Sequence, residues 1–290
     1  MQLEYFFLLF FYYLCFYIFT LTIFVFQSAG YSIKMELNFK TFGNPWHTPV
    51  VILHGMFGTL DNWQTVAKLL SERYCVYVLD LRNHGRSPQS EDFGYKIMAR
   101  DVAEFLDAQG LREAHIIGHS MGGKVAMELA FSAPDAVESL VVVDIAPKTY
   151  IGHHEAVFQG MFALDPPKLA SRQEAENILN GFDLDWATKQ FILKNLVFDK
   201  DTQGYTWRMN LPVIYAHYAE ILAFDAGGRH FDKPTLFLRG SESNYIEVAD
   251  FQALTANLFP DARLQTIAKA GHWLHADAPQ AFVEAIFGFI

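Results

Sequence analysis

The sequence is poor in cysteine, has no basic excess and lacks metal-ligand spacing, and each shortage removes a class of protein. Two cysteines in 290 residues cannot build a disulfide framework. Cys15 falls in a hydrophobic leader. Cys75 falls in a strand-like run, Tyr74-Cys75-Val76-Tyr77-Val78-Leu79, and reads as a small buried hydrophobe. The 32 acidic residues outnumber the 22 basic ones, giving a formal charge of −10. The lack of a phosphate-neutralising excess argues against long contact with nucleic acid or an anionic membrane surface. No C-x-x-C, H-E-x-x-H or clustered Cys/His set occurs, so no bound metal is expected. No internal repeat is visible either.

What is abundant is apolar surface. At 290 residues and 51% hydrophobic content, the chain can bury a large core, and one domain with an inserted piece is the simplest organisation. Residues 5–26 carry no charge and are long enough to cross a bilayer. Residues 1–30 therefore form a leader with three readings: a membrane anchor, a cleaved signal, or an extension foreign to the working protein. The signal reading lacks a basic n-region, since Glu4 is the only charge before the run. Lys34 and Lys40 follow the run with no basic residue ahead of it, which favours a body on the cytoplasmic side, soluble or anchored. Met35 opens an alternating strand pattern and is a plausible start for a complete domain.

From residue 31 onward the pattern is α/β. Continuous apolar runs at Pro49–Leu53, Cys75–Leu79, His115–Ile117, Ser139–Val143 and Pro234–Leu238 suit parallel strands covered on both faces, and the sheet pattern continues at Arg263–Ile267. Helical patterns separate them near 63–70, 93–109 and 124–131, and a last helix is expected near 279–287. The strand, loop, helix order predicts a mostly parallel sheet with helices on both faces. Between about 148 and 230 the rhythm breaks into helical patches, at Glu174–Leu179 and Trp186–Leu196, with a polar break at Asp199–Gly204. A structureless loop of that length is improbable, so this segment is expected to be a mostly helical cap inserted over the end of the sheet.

The stretch Gly118-His119-Ser120-Met121-Gly122-Gly123 lies where a predicted strand gives way to a predicted helix. G-x-S-x-G in that setting describes a sharp turn that exposes a serine hydroxyl at the mouth of a cleft. The alternative is a serine that merely caps the helix. A serine hydroxyl needs a base, and His272, directly after the last strand in Ala270-Gly271-His272-Trp273, is the best candidate. His119 is expected to point away from the cleft. His47, His115, His153, His154, His217, His230 and His275 read as surface or hydrogen-bonding residues. The base needs an acid. Asp144 and Glu242 each follow a core strand on the cleft side, and spacing does not choose between them. Asp80 precedes the serine and suits a bracing role. Gly55 and Gly58 in His54-Gly55-Met56-Phe57-Gly58 permit an unusual backbone path, so the N–H of Met56, or of Phe57, is expected to join that of Met121 as an oxyanion hole. Phe158, Met161, Phe162, Leu164, Trp186, Phe191, Ile192 and Leu193 give the cap enough apolar surface for an acyl chain, or simply its own core.

Taken together, HGMFG at 54–58, DLRNHGRS at 80–87, GHSMGG at 118–123, VVDIAP at 142–147 and AGHW at 270–273 resemble the α/β-hydrolase superfamily. Within it they resemble the small carboxylesterases of the bacterial YbfF type and related abhydrolase domain-containing proteins. The resemblance covers about residues 34–290. It implies Ser120 as nucleophile, His272 as base, backbone oxyanion donors around Met56 and Met121, and no cofactor. The wider superfamily places its acid where Glu242 stands, and the narrower group where Asp144 stands; Asp144 is the expected acid and Glu242 the alternative. The implied activity is hydrolysis of carboxylic esters or thioesters of small to medium acyl groups by way of an acyl-enzyme. A C–C bond hydrolase, or a catalytically silent scaffold used for binding, are the other readings.

Overall fold

The computed structural model describes residues 34–249 and 251–290. The hydrophobic run at 5–26, with its three readings, lies outside the described residues. Among the described residues, no helix is long and apolar enough to cross a membrane.

Seven strands form one sheet. They are β1 (Phe39–Phe42), β2 (Pro49–Leu53), β3 (Cys75–Leu79), β4 (Ala114–His119), β5 (Val137–Val143), β8 (Thr235–Gly240) and β9 (Ala262–Ile267), in the spatial order β1-β3-β2-β4-β5-β8-β9. All neighbours pair in parallel except β1, which runs antiparallel to β3 at the edge. The central strands are apolar on both sides because both sides are covered. Val51 and Leu53 of β2 pack with α2 (Tyr95–Ala108) and α3 (Met121–Ser132). Val50 and Ile52 pack on the opposite face with α1 (Gln64–Leu70) and the C-terminal helix Pro279–Phe287. The same alternation divides Leu140 and Val142 from Val141 and Val143 in β5, as the two-residue period of a strand requires.

Between β5 and β8 the chain leaves the sheet. It forms α4 (Glu155–Ala163), α5 (Arg172–Leu179), α6 (Trp186–Lys194), a hairpin of β6 (Leu196–Asp199) and β7 (Gly204–Trp207), then α7 (Leu211–Ala216) and α8 (Tyr218–Leu222). The hairpin departs from the mostly helical insertion expected: α6 stops at Lys194 instead of running to Leu196, and the polar break Asp199–Gly204 is the hairpin turn. Val197, Phe198, Tyr205, Thr206 and Trp207 are β-branched or aromatic and favour a pleated surface. The Asp199 carboxylate takes the Asp201 N–H at 2.8 Å, closing the turn. Phe158, Met161, Leu164, Ile192 and Leu193 are buried and serve as core, whereas Phe162 and Trp186 are exposed.

Candidate active site

Parallel strands deliver their C-terminal ends to one edge of the sheet, where ligand sites of open α/β folds form. Here that edge carries Gly55 after β2, Ser120 after β4, Asp144 after β5, Ser243 after β8 and His272 after β9.

Ser120 sits at φ 52° and ψ −118°, a strained conformation for any side-chain-bearing residue. The turn is held by its glycines. A Cβ on Gly118 would stand 2.3 Å from the Gly122 carbonyl oxygen, and one on Gly122 would stand 2.4 Å from that of His54. The Ser120 N–H donates to the Val143 carbonyl at 2.9 Å, tying the turn to β5. Its hydroxyl makes no capping bond to α3, so the helix-cap reading of this serine has no hydrogen bond to rest on. The side chain lines a cavity of about 360 Å³ together with His272.

His272 Nδ1 donates to Asp144 Oδ2 at 2.8 Å, which leaves Nε2 as the acceptor nitrogen of the ring. Asp144 is fully buried, at φ 50°. Its carboxylate is satisfied on all sides: the Ser243 hydroxyl donates to Oδ2, and the Gly240 N–H donates to Oδ1 at 3.2 Å. Glu242 does not join this group. Its backbone N–H bonds the Ala270 carbonyl at 2.9 Å and its side chain is exposed. The structure thus brings together His272 and Asp144, the alternative that spacing left open.

The loop after β2 is equally ordered. His54 donates from Nδ1 to the Gly55 carbonyl at 2.8 Å and accepts the Leu81 N–H at Nε2 at 3.0 Å. Phe57 is at φ 61°, and its N–H is taken by His84 Nε2 at 3.3 Å. Buried Asn195, at the entry to β6, donates to the Phe57 carbonyl at 2.8 Å. The Phe57 N–H is thus engaged, Met56 lines the cavity, and Met121, as the first residue of α3, carries an N–H with no intrahelical partner. Asp80 accepts from Asn38, Leu60 and Arg86, bracing the neighbouring loop at 2.7, 2.7 and 2.9 Å.

Several contributors escape sequence reasoning. His119 does not point away: its ring lies 4.7 Å from that of His272, and its Nε2–H donates to the His272 carbonyl at 2.9 Å. Burial, with neighbouring histidine charges second, pushes its pKa well below the ordinary value, so it holds the loop as a neutral group. Tyr245 stacks on the His272 ring at 4.0 Å with 18° between planes. Its hydroxyl meets His153 Nε2 at 2.8 Å, and His154 Nδ1 meets the Tyr218 hydroxyl at 2.7 Å. These contacts join residues up to 153 positions apart, and no linear motif announces them. Of the apolar cap residues expected near an acyl chain, Phe191 lines the cavity. Among the described residues, no cluster of His, Cys, Asp and Glu is arranged to hold a metal.

Residues 48–279 match the family described as the alpha/beta hydrolase fold. The chain is 40% identical over 273 residues to the sn-1-specific diacylglycerol lipase ABHD11 of Danio rerio, spanning 91% of this chain and 85% of that one. It is 36% identical over 256 residues to esterase YbfF of Escherichia coli K12, spanning 88% and 98%. Among solved structures, a marine microorganism esterase superposes with a TM-score of 0.84 at 38% identity, covering 88% of this chain and all (100%) of that one.

Proposed function

The chain belongs to the α/β-hydrolase family, and from that premise we propose that it is a serine carboxylesterase, cleaving carboxylic esters or thioesters of small to medium acyl groups through an acyl-enzyme. Ester hydrolysis is the activity named for its relatives, an esterase and a lipase among them. The observation that carries the mechanism is the buried Asp144 carboxylate bonded at 2.8 Å to His272 Nδ1, beside a strained serine whose hydroxyl is not spent on the helix.

In this reading His272 Nε2 takes the Ser120 proton as Oγ attacks the acyl carbonyl. Asp144 holds the imidazole tautomer and stabilises the imidazolium that forms. The Met56 and Met121 N–H groups receive the oxyanion, at the positive end of α3. His272 then protonates the leaving alcohol or thiol, and water repeats the sequence on the acyl-enzyme. Tyr95, Tyr150, Leu184 and Ile221 supply the cavity wall for the acyl chain. The cavity of about 360 Å³ is in the range of small-molecule sites.

The test is a Ser120→Ala variant assayed with p-nitrophenyl esters, with an organophosphonate probe applied to wild type. Loss of hydrolysis by about 10³-fold or more, and labelling of wild type alone, are expected from removal of an activated nucleophile. Undiminished hydrolysis by purified, folded S120A would overturn the assignment.

A further inference from the structure

Lys124 stands one helical turn beyond Ser120 on α3, its backbone N–H donating to the Ser120 carbonyl at 3.2 Å. In a helix, positions four apart share a face. The side chain is 1% exposed, and no carboxylate pairs with it among the described residues. A buried lysine without a counter-ion is rare and costly unless its hydrogen bonds are satisfied. Burial pushes its pKa from 10.5 to about 7.

The satisfaction comes from the cap. Nζ donates to three successive carbonyls, Ile221 at 3.3 Å, Leu222 at 2.7 Å and Ala223 at 3.0 Å. These lie at the C-terminal end of α8, where carbonyls have no intrahelical partner. Cations near a helix C-terminus bond such carbonyls favourably. The Tyr95 hydroxyl donates to the same Ile221 carbonyl at 2.5 Å, and the Tyr150 N–H to that of Leu222 at 3.0 Å. The ammonium also lies over the Tyr150 and Tyr95 rings, 5.0 and 5.7 Å from their centroids. In its protonated form the amine has three N–H donors, and all three are taken. Lys124 therefore has none left for a substrate anion, although Lys124, Ile221 and Leu222 all border the acyl cavity.

We propose that Lys124 is a positioning residue: it fixes the last helix of the cap over the nucleophile's own helix, and so determines how far an acyl chain is enclosed and which acyl lengths are preferred. This rests on the esterase reading above. Short acyl groups end before they reach Ile221 and Leu222, whereas long ones depend on both.

The test uses the full chain as wild type, Lys124→Gln and Lys124→Met, with p-nitrophenyl acetate and p-nitrophenyl decanoate as substrates. Hydrogen–deuterium exchange of the segment 218–224 is followed in the same proteins. Glutamine keeps two N–H donors and methionine none. The decanoate-to-acetate ratio of kcat/KM should fall about 10-fold in K124M, mainly through KM, and less in K124Q. Exchange in 218–224 should accelerate in the same order while the central sheet keeps its protection. Equal losses on both esters, or an unaltered ratio with unaltered exchange, would overturn the proposal. If K124M does not fold, K124Q decides by the same criteria. Should wild type hydrolyse neither ester, the esterase reading fails, and the graded exchange still decides whether Lys124 fixes the cap.

Discussion

Replacing His275 by phenylalanine isolates one buried proton site and measures what it contributes to acid sensitivity. His275 is 5% exposed, its ring lies flat on Trp63 at 4.0 Å, and its Nδ1 has no hydrogen-bond partner among the described residues. Burial, reinforced by the neighbouring His272, lowers its pKa from 6.5 to about 3. In the unfolded chain the imidazole titrates near its ordinary value of about 6.5. Below that pH the unfolded chain binds a proton that the folded chain refuses, so stability falls as the solution is acidified from neutrality towards the folded pKa. By pH 5 the loss is about 2 kcal/mol for this residue. His54 and His84, lowered by burial to about 4 and about 3, behave the same way. The three together remove about 6 kcal/mol, a large share of the 5–15 kcal/mol that holds a typical domain. Wild type should therefore unfold at much lower urea concentration at pH 5 than at pH 7.5. Phenylalanine keeps the aromatic face against Trp63 and deletes the proton site. His275→Phe should lose about 2 kcal/mol less than wild type between those two pH values, measured by urea unfolding followed by circular dichroism. An identical pH dependence in the two proteins would refute the reasoning.

Further outcomes follow from the geometry of the site. Asp144→Asn should lower kcat/KM about 10³- to 10⁴-fold, as loss of a histidine-orienting carboxylate does, and Glu242→Gln should change it little; the reverse ranking would move the acid to the end of β8. Tyr245→Leu should lower kcat about 10-fold with a smaller change in KM, because the ring stacked on His272 keeps the imidazole aligned. Tyr245→Phe keeps that ring and forfeits only the bond to His153, so steady-state kinetics should show a clearly smaller loss; equal losses in the two variants would point to the hydroxyl instead.

The parallel sheet and the elbow serine were legible because each depends on local pattern. Continuous apolar runs mark doubly covered strands, and Gly118 and Gly122 mark a turn with no room for Cβ atoms. That His272 bonds Asp144 and not Glu242 was not legible from spacing, because both end strands on the same edge. It turns on the backbone of Asp144 at φ 50° and on the β5–β8 pairing, which puts Gly240 and Ser243 around the carboxylate. The cap hairpin was hidden because its turn residues, Asp199–Gly204, have the composition of any polar break. Lys124 left a signal that motif reasoning passes over: one cation within a helix whose residues Met121 to Phe131 are all buried.

The hydroxyl of Ser243 and the ring of His272 follow different strands and converge on Asp144. Ser243 and His272 bond the same oxygen of Asp144, so the ends of β5, β8 and β9 meet at one buried carboxylate. A change at Ser243 therefore acts on the His272 ring at one remove, through the carboxylate that both of them share.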